Sequence, residues 1–172
     1  NKDITNIKSN KLKEIYKDIQ MVFQDAIGSF NPRFTIEESI MEYVCNLCST
    51  TEADKKHKVD NLLRMVGLSK EYKYRYPHEL SGGQCQRAAI ARALSAHPKI
   101  LVCDEATSAL DVSVQAQIVE LLKEMQEKMN ISYLFITHDL ALVSSFCDRV
   151  AVMKNGKVVE VGDAKEVINN PM

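Results

Sequence analysis

A chain of 172 residues, 45% apolar and 26% charged, is long enough to bury a core and fits one soluble globular domain. Its 22 Lys and Arg against 23 Asp and Glu leave a net charge of −1, which excludes a global basic field of the kind that draws in nucleic acid or anionic lipid. No run of eighteen apolar residues and no signal-peptide pattern occurs, and five cysteines, one of them in the apolar stretch at Cys103, fit a reducing compartment better than a disulfide framework.

Residues 1 to 18 are polar and Lys-rich, with Leu12 and Ile15 marking a short amphipathic helix. Ile19 to Phe23 reads as a strand that delivers Gln24 to its end, where a side-chain amide binds a metal or water through its oxygen. Asn31-Pro32-Arg33 then breaks the chain. From Thr35 to Glu79 the composition changes. Thr35 with Glu38 forms a capping box, and Ile36, Ile40, Tyr43, Val44 and Leu47 recur at helical spacing. A second helix runs from Glu52 to Val66, with Val59, Leu62, Leu63 and Val66 on one side and Gly67 as its stop. Cys45 and Cys48 have the C-x-x-C spacing of a redox pair or half a zinc site. No second pair follows at ligand spacing, so two ordinary buried or half-buried thiols are expected. The charges of Lys55-Lys56-His57-Lys58 read as a solvated face. Tyr72, Tyr74 and Tyr76, interleaved with Lys73 and Arg75, read as packing of this helical segment rather than as a nucleic-acid site.

The densest information lies between residues 80 and 111. Leu80-Ser-Gly-Gly-Gln84 opens a stretch with apolar residues at Ala88, Ile90, Ala91 and Leu94. Glycines let backbone approach a ligand closely, and the first N–H groups of a helix have no internal partner, so such a site favours an anion. A serine cap and a glycine turn would explain an isolated Ser-Gly-Gly. Five specified positions in a row arise by chance in a chain this long on the order of once in several thousand cases. Ile100 to Cys103 reads as a buried strand with Asp104 and Glu105 at its carboxyl end, where open α/β sheets place ligands. One acid suits Mg²⁺ and the other the proton of an attacking water.

After Asp111, a helix from Val112 to about Met129 buries Val114, Ile118, Leu121, Leu122 and Met125. Tyr133 to Thr137 reads as another buried strand ending at His138, an imidazole placed to orient a phosphate. A short helix over Ala141 to Cys147 follows. Arg149 to Val161 alternates around Lys154-Asn-Gly-Lys157, a type I′ hairpin signal, and Asp163 with Glu166 caps a last helix.

Together these strings resemble the ATPase subunits of ABC transporters. Leu80 to Gln84 is similar to the signature motif, Ile100 to Glu105 to the Walker B strand, Ser108 to Asp111 to the D-loop, Gln24 to the Q-loop and His138 to the switch histidine. The longer strings Phe23 to Arg33, Tyr76 to Leu80 and Ser108 to Gln117 resemble the oligopeptide and dipeptide importer class. The resemblance implies an α/β fold of the P-loop NTPase kind with a mainly parallel sheet, a helical subdomain over 35–79 and a core over 80–172. The P-loop string G-x-x-x-x-G-K-[ST] does not occur, although it precedes the Q-loop in this family. The expectation is a partial nucleotide-binding domain over 1–172 that lacks its first strands and P-loop and is inactive alone.

The resemblance further implies ATP and Mg²⁺ as ligands, with ATP held between two cassettes that lie head to tail. Ser81, Gly82 and Gly83 would contact the γ-phosphate held by the partner, with Gln84 beside it. Asp104 and Gln24 would support Mg²⁺, Glu105 would act as base toward water, Asp111 would link the two sites and His138 would hold the γ-phosphate. Ala106 stands where transporters often have proline. The implied partners are a second ATPase subunit, as a hetero-pair, and a membrane permease docked on the helical subdomain. That places the protein peripherally on the cytoplasmic face of the cell membrane, with no nucleic-acid partner. Two other readings stay open: a soluble ABC ATPase that works outside transport, and a non-catalytic module that completes a partner's site.

Overall fold

Two short apolar runs, Ile19–Val22 (β1) and Ile100–Asp104 (β2), pair in parallel in the computed structural model, which describes residues 9–47, 52–108 and 110–170. Ile19 stands opposite Ile100 and Val22 opposite Cys103. Parallel strands need a long crossover, and this one carries α2 (Ile36–Leu47), α3 (Glu52–Met65), two short 3₁₀ turns over Lys70–Tyr74 and Pro77–Glu79, and α4 (Gly82–Leu94). Upstream, α1 (Ser9–Asp18) leads into β1, and α5 (Val112–Met129) connects β2 to β3 (Ser132–Ile136). The sheet order is β1-β2-β3. The chain divides into two compact units, the first reaching Leu134 and the second beginning at Phe135.

The core of the first unit is the apolar face of α2 (Ile36, Ile40, Val44) set against Val59, Leu62 and Leu63 of α3 and Val66 just past its end, every one of them at most 3% exposed. The helical spacing read from the sequence is the burial pattern found, except that Tyr43 is half-buried. The Leu47 side chain lies outside the described residues. Thr35 Oγ1 accepts from Glu38 N–H at 3.2 Å while Glu38 Oε2 accepts from Thr35 N–H at 2.7 Å, so the expected capping box starts α2. At the other end of α3, Gly67 takes φ +71° and Leu68 N–H reaches Leu63 O at 2.9 Å, the six-to-one bond of a Schellman stop.

Helix α4 is buried almost all round: Ala88, Ala89, Ile90, Ala91, Ala93 and Leu94 are at most 2% exposed. Between Lys70 and Tyr76 the half-buried residues are Tyr72 and Lys73. Lys73 donates to Asp60 at 2.7 Å and lies 3.9 Å from Glu37, tying α3 to α2, whereas Tyr74 and Tyr76 are exposed. A half-buried ammonium between two carboxylates thus shares the packing with Tyr72, the one half-buried phenol of the three. The two strands expected to be wholly buried are buried on one face only. Leu101 and Cys103 are at 0%, but Ile100 is exposed, and in β3 Leu134 and Ile136 are exposed while Tyr133 is half-buried. Alternation is the consequence of the two-residue period of a strand with one covered face. Cys45 is exposed, against expectation, and Cys48 lies outside the described residues.

In the second unit, α6 (Leu140–Phe146) is followed by the antiparallel pair β4 (Arg149–Lys154) and β5 (Lys157–Asp163) and by α7 (Ala164–Asn169). Asn155 and Gly156 have φ of +51° and +74°, as the expected type I′ turn requires. Asp163 Oδ1 accepts from Lys165 and Glu166 N–H and caps α7.

Candidate functional site

The parallel register brings the end of β1 and the end of β2 to the same edge of the sheet. Gln24 lies two residues past Val22, and Glu105 two residues past Cys103. At that edge Gln24 Nε2 donates to Glu105 Oε2 at 2.7 Å and lies 3.4 Å from Ser108 Oγ. Residues 81 apart in sequence thus meet in one hydrogen-bonded set.

Glu105 holds φ +44°, the left-handed region, and the turn is closed by Ser108 N–H and Ser108 Oγ, both bonded to Glu105 O at 3.0 Å. A non-glycine residue there carries strain that surrounding structure must hold. No glycine marks this turn in the sequence, and neither the strain nor the Gln24 contact was legible there. Asp104 is half-buried at the last position of β2.

Ser81 is the N-cap of α4. Its Oγ accepts from Gln84 N–H at 3.3 Å and Gln84 Oε1 accepts from Ser81 N–H at 3.0 Å, while Gln84 Nε2 donates to Tyr72 Oη at 2.9 Å. The capping box leaves the Ser81 hydroxyl proton as a donor, and the N–H groups of Gly82 and Gly83 belong to a first turn without internal acceptors. Ser81 and Gly82 are exposed. This end of α4 therefore fits a phosphate group. Gly83 has a second reason to be glycine: a Cβ there would come within 2.6 Å of Val114 Cγ1 on α5. Gly82 would meet Leu110 at 3.5 Å, an ordinary contact, so its small size serves open space.

Asp111 caps α5, its Oδ1 accepting from Ser113 Oγ at 2.8 Å and Val114 N–H at 3.2 Å. The Ser113 hydroxyl and the Val114 N–H hold this carboxyl below the usual carboxylate range. Gln115 Nε2 donates to Thr107 O at 2.8 Å and fastens the intervening loop to α5. A cleft of about 320 Å³ joins these parts, with Gln24, Asp25, Gly82, Gln86, Ala106 and Leu110 in its wall. His138 is exposed in the turn between β3 and α6 in the second unit, and the following Asp139 caps α6 through the Ala141 and Leu142 N–H groups.

For a metal, no group of three or more His, Cys, Asp or Glu is arranged as a binding set among the described residues. Asp104 and the amide oxygen of Gln24 offer hard oxygen donors at one sheet edge, which fits Mg²⁺ when phosphates and water complete its shell.

Arg92 had no role in the sequence reading, yet it is 7% exposed and joins α4 to the loop after β1. Its Nη1 donates to Ser29 O at 2.7 Å and its Nη2 to Ser29 Oγ at 2.9 Å, and the guanidinium stacks 4.2 Å from the Phe30 centroid. The signal available was an arginine among the alanines of an apolar helix.

The family model described as ABC transporter matches residues 1–108. Over 172 residues the chain is 46% identical to a dipeptide transport ATP-binding protein of Lactococcus lactis, DppF, covering 99% of this chain and 55% of that protein. It is 48% identical to the oligopeptide transport ATP-binding protein OppF of Salmonella typhimurium, covering 99% and 52%. The chain thus spans about half the length of the curated relatives it matches. Among solved structures it resembles cbiO1 from Clostridium perfringens, part of the ABC transporter complex cbiONQ, with a TM-score of 0.83 at 32% identity over 96% of this chain and 64% of that one. The post-hydrolysis dimer of the ATP-binding cassette MJ0796 with ADP and Pi gives 0.79 at 29% identity, over 92% and 68%.

Proposed function

Because this chain belongs to the ABC transporter family and has the α/β fold of its ATPase cassettes, we propose that it is the ATP-binding and ATP-hydrolysing part of an oligopeptide- or dipeptide-type importer. The observation that carries this reading is the bond from Gln24 to Glu105 at the sheet edge, across a cleft from the first turn of α4.

ATP lies between two cassettes set head to tail, the second a different subunit. The hydroxyl proton of Ser81 and the N–H groups of Gly82 and Gly83 receive the γ-phosphate held by that partner, with Gln84 bracing Ser81 from behind. On this chain's own edge, Gln24 orients the Glu105 carboxylate. Glu105 accepts the proton of the attacking water as the water oxygen bonds to the γ-phosphorus and the bond to ADP breaks. Asp104 and Gln24 would hold Mg²⁺, which when bound neutralises charge on the phosphate oxygens. His138 holds the γ-phosphate, and Asp111 links the two nucleotide sites through the cap of α5. The helical subdomain, residues 35–79 within the domain spanning 1–172, passes the opening of the pair to a permease. The protein then sits peripherally on the cytoplasmic face and meets the bilayer only through the permease. No helix among the described residues is long and apolar enough to cross a membrane.

The test is steady-state Mg-ATP hydrolysis by the full gene product with its partner cassette. Glu105→Gln keeps the Gln24 contact but loses the base, and kcat falls by about a hundredfold or more with the KM for ATP little changed. Unchanged turnover in Glu105→Gln would sink the reading.

A further inference from the structure

Gln86 lies one turn into α4 and is 2% exposed, yet its side-chain Nε2 has no hydrogen-bond partner among the described residues. A buried donor left unpaired forfeits its hydration without compensation, and such groups in folded proteins are nearly always satisfied. Gln86 also lines the cleft of about 320 Å³ that Gln24 and Asp25 line. Among the residues lining that space, Asp25 carries a carboxylate acceptor. It is folded back over its own turn, Oδ1 accepting from Gly28 N–H at 2.9 Å, and retains lone pairs for a further donor. Asp25 stands close to α4: burial, opposed by Arg92 and aided by Asp25, pushes the thiol of the neighbouring Cys85 up to about 11.

We propose that Gln86 is a positioning residue for the loop that carries Gln24, its amide donating in the cleft to a water that bridges to the Asp25 carboxylate. The catalytic interpretation of this link rests on the function proposed above. The link joins the helix whose first turn meets the partner's phosphate to the loop that orients Glu105, so occupation of one phosphate site is felt at the other. It is distinct from the Arg92 tether, which grips the same loop at Ser29 rather than at its catalytic start.

The test uses Gln86→Met, which keeps the volume and removes the donor, Asp25→Ala, and the two together, all in the full gene product with its partner cassette. Hydrogen exchange of amides 24–29 is expected to rise about fivefold in each single variant and no further in the double. In the same proteins kcat falls about tenfold with the KM for ATP unchanged, again without further loss in the double. Unaltered exchange in Gln86→Met, or effects that multiply in the double variant, would overturn the link. Should wild type and Glu105→Gln hydrolyse alike, the proposed function falls, and the exchange measurement still decides whether Gln86 holds the loop.

Discussion

At the scale of single residues, two positions show how function and packing compete for the same atoms. Glu105 occupies a left-handed turn that costs about 1–3 kcal/mol for a side chain, and it is kept there by Ser108 and by Gln24. Gly83 answers both to the proposed phosphate-binding role of the first turn and to the approach of Val114. Gly83→Ala is therefore expected to destabilise the chain by about 1–3 kcal/mol through overpacking. Thermal unfolding should show Val114→Ala restoring most of that loss; no restoration would mean the glycine is needed for backbone approach alone. The thiols offer a simpler check. Burial pushes Cys85 up to about 11 and Cys103 up to about 12, whereas Cys45 is exposed. Iodoacetamide at neutral pH should label Cys45 in the native protein and spare Cys85 and Cys103 until it unfolds. Equal labelling of all three would contradict the buried placement of α4 and β2.

Among elements, the helices that matter begin with side-chain caps. Thr35 with Glu38 starts α2, Ser81 with Gln84 starts α4, and Asp111 starts α5. The last has a pH dependence whose sign is fixed by its depressed pKa. A carboxyl held low by its folded partners contributes stability that is present above the ordinary carboxylate range and is lost as pH falls through the folded value. Hydrogen exchange at Ser113 to Gln115 should accordingly stay slow near neutrality and rise only below that range. Asp111→Ala should show the fast exchange at every pH. If exchange at these amides is indifferent to both, the cap does not hold α5.

For the whole molecule, the proposed reaction needs two chains, because in it the turn at Ser81 and the carboxylate of Glu105 would serve different nucleotides. Ser81→Arg should then abolish hydrolysis at the site whose P-loop belongs to the partner, while ATP binding there weakens much less. In mixed pairs, a loss confined to the variant subunit's own nucleotide would contradict the head-to-tail arrangement. The 172 residues contain no G-x-x-x-x-G-K-[ST] string.

Much of this was legible in the chain itself. Helix positions followed from a 3.6-residue apolar period, the ends of α2 and α3 from Thr35, Glu38 and Gly67, and the hairpin from Asn155-Gly156, since each depends on neighbours a few residues away. The candidate residues Gln24, Ser81 to Gln84, Asp104, Glu105, Asp111 and His138 were recognisable as motif strings. What the sequence could not determine was anything set by distant segments. The meeting of Gln24 and Glu105 depends on the parallel register of β1 and β2, and the left-handed turn at Glu105 on the contacts that hold it. The inward turn of Lys73, the burial of Arg92 and Gln86 and the one-sided cover of β2 were likewise decided by tertiary packing. Local sequence sets local hydrogen bonding and periodicity, but which polar group is buried, and against what, is a property of surfaces that come together only when the chain folds.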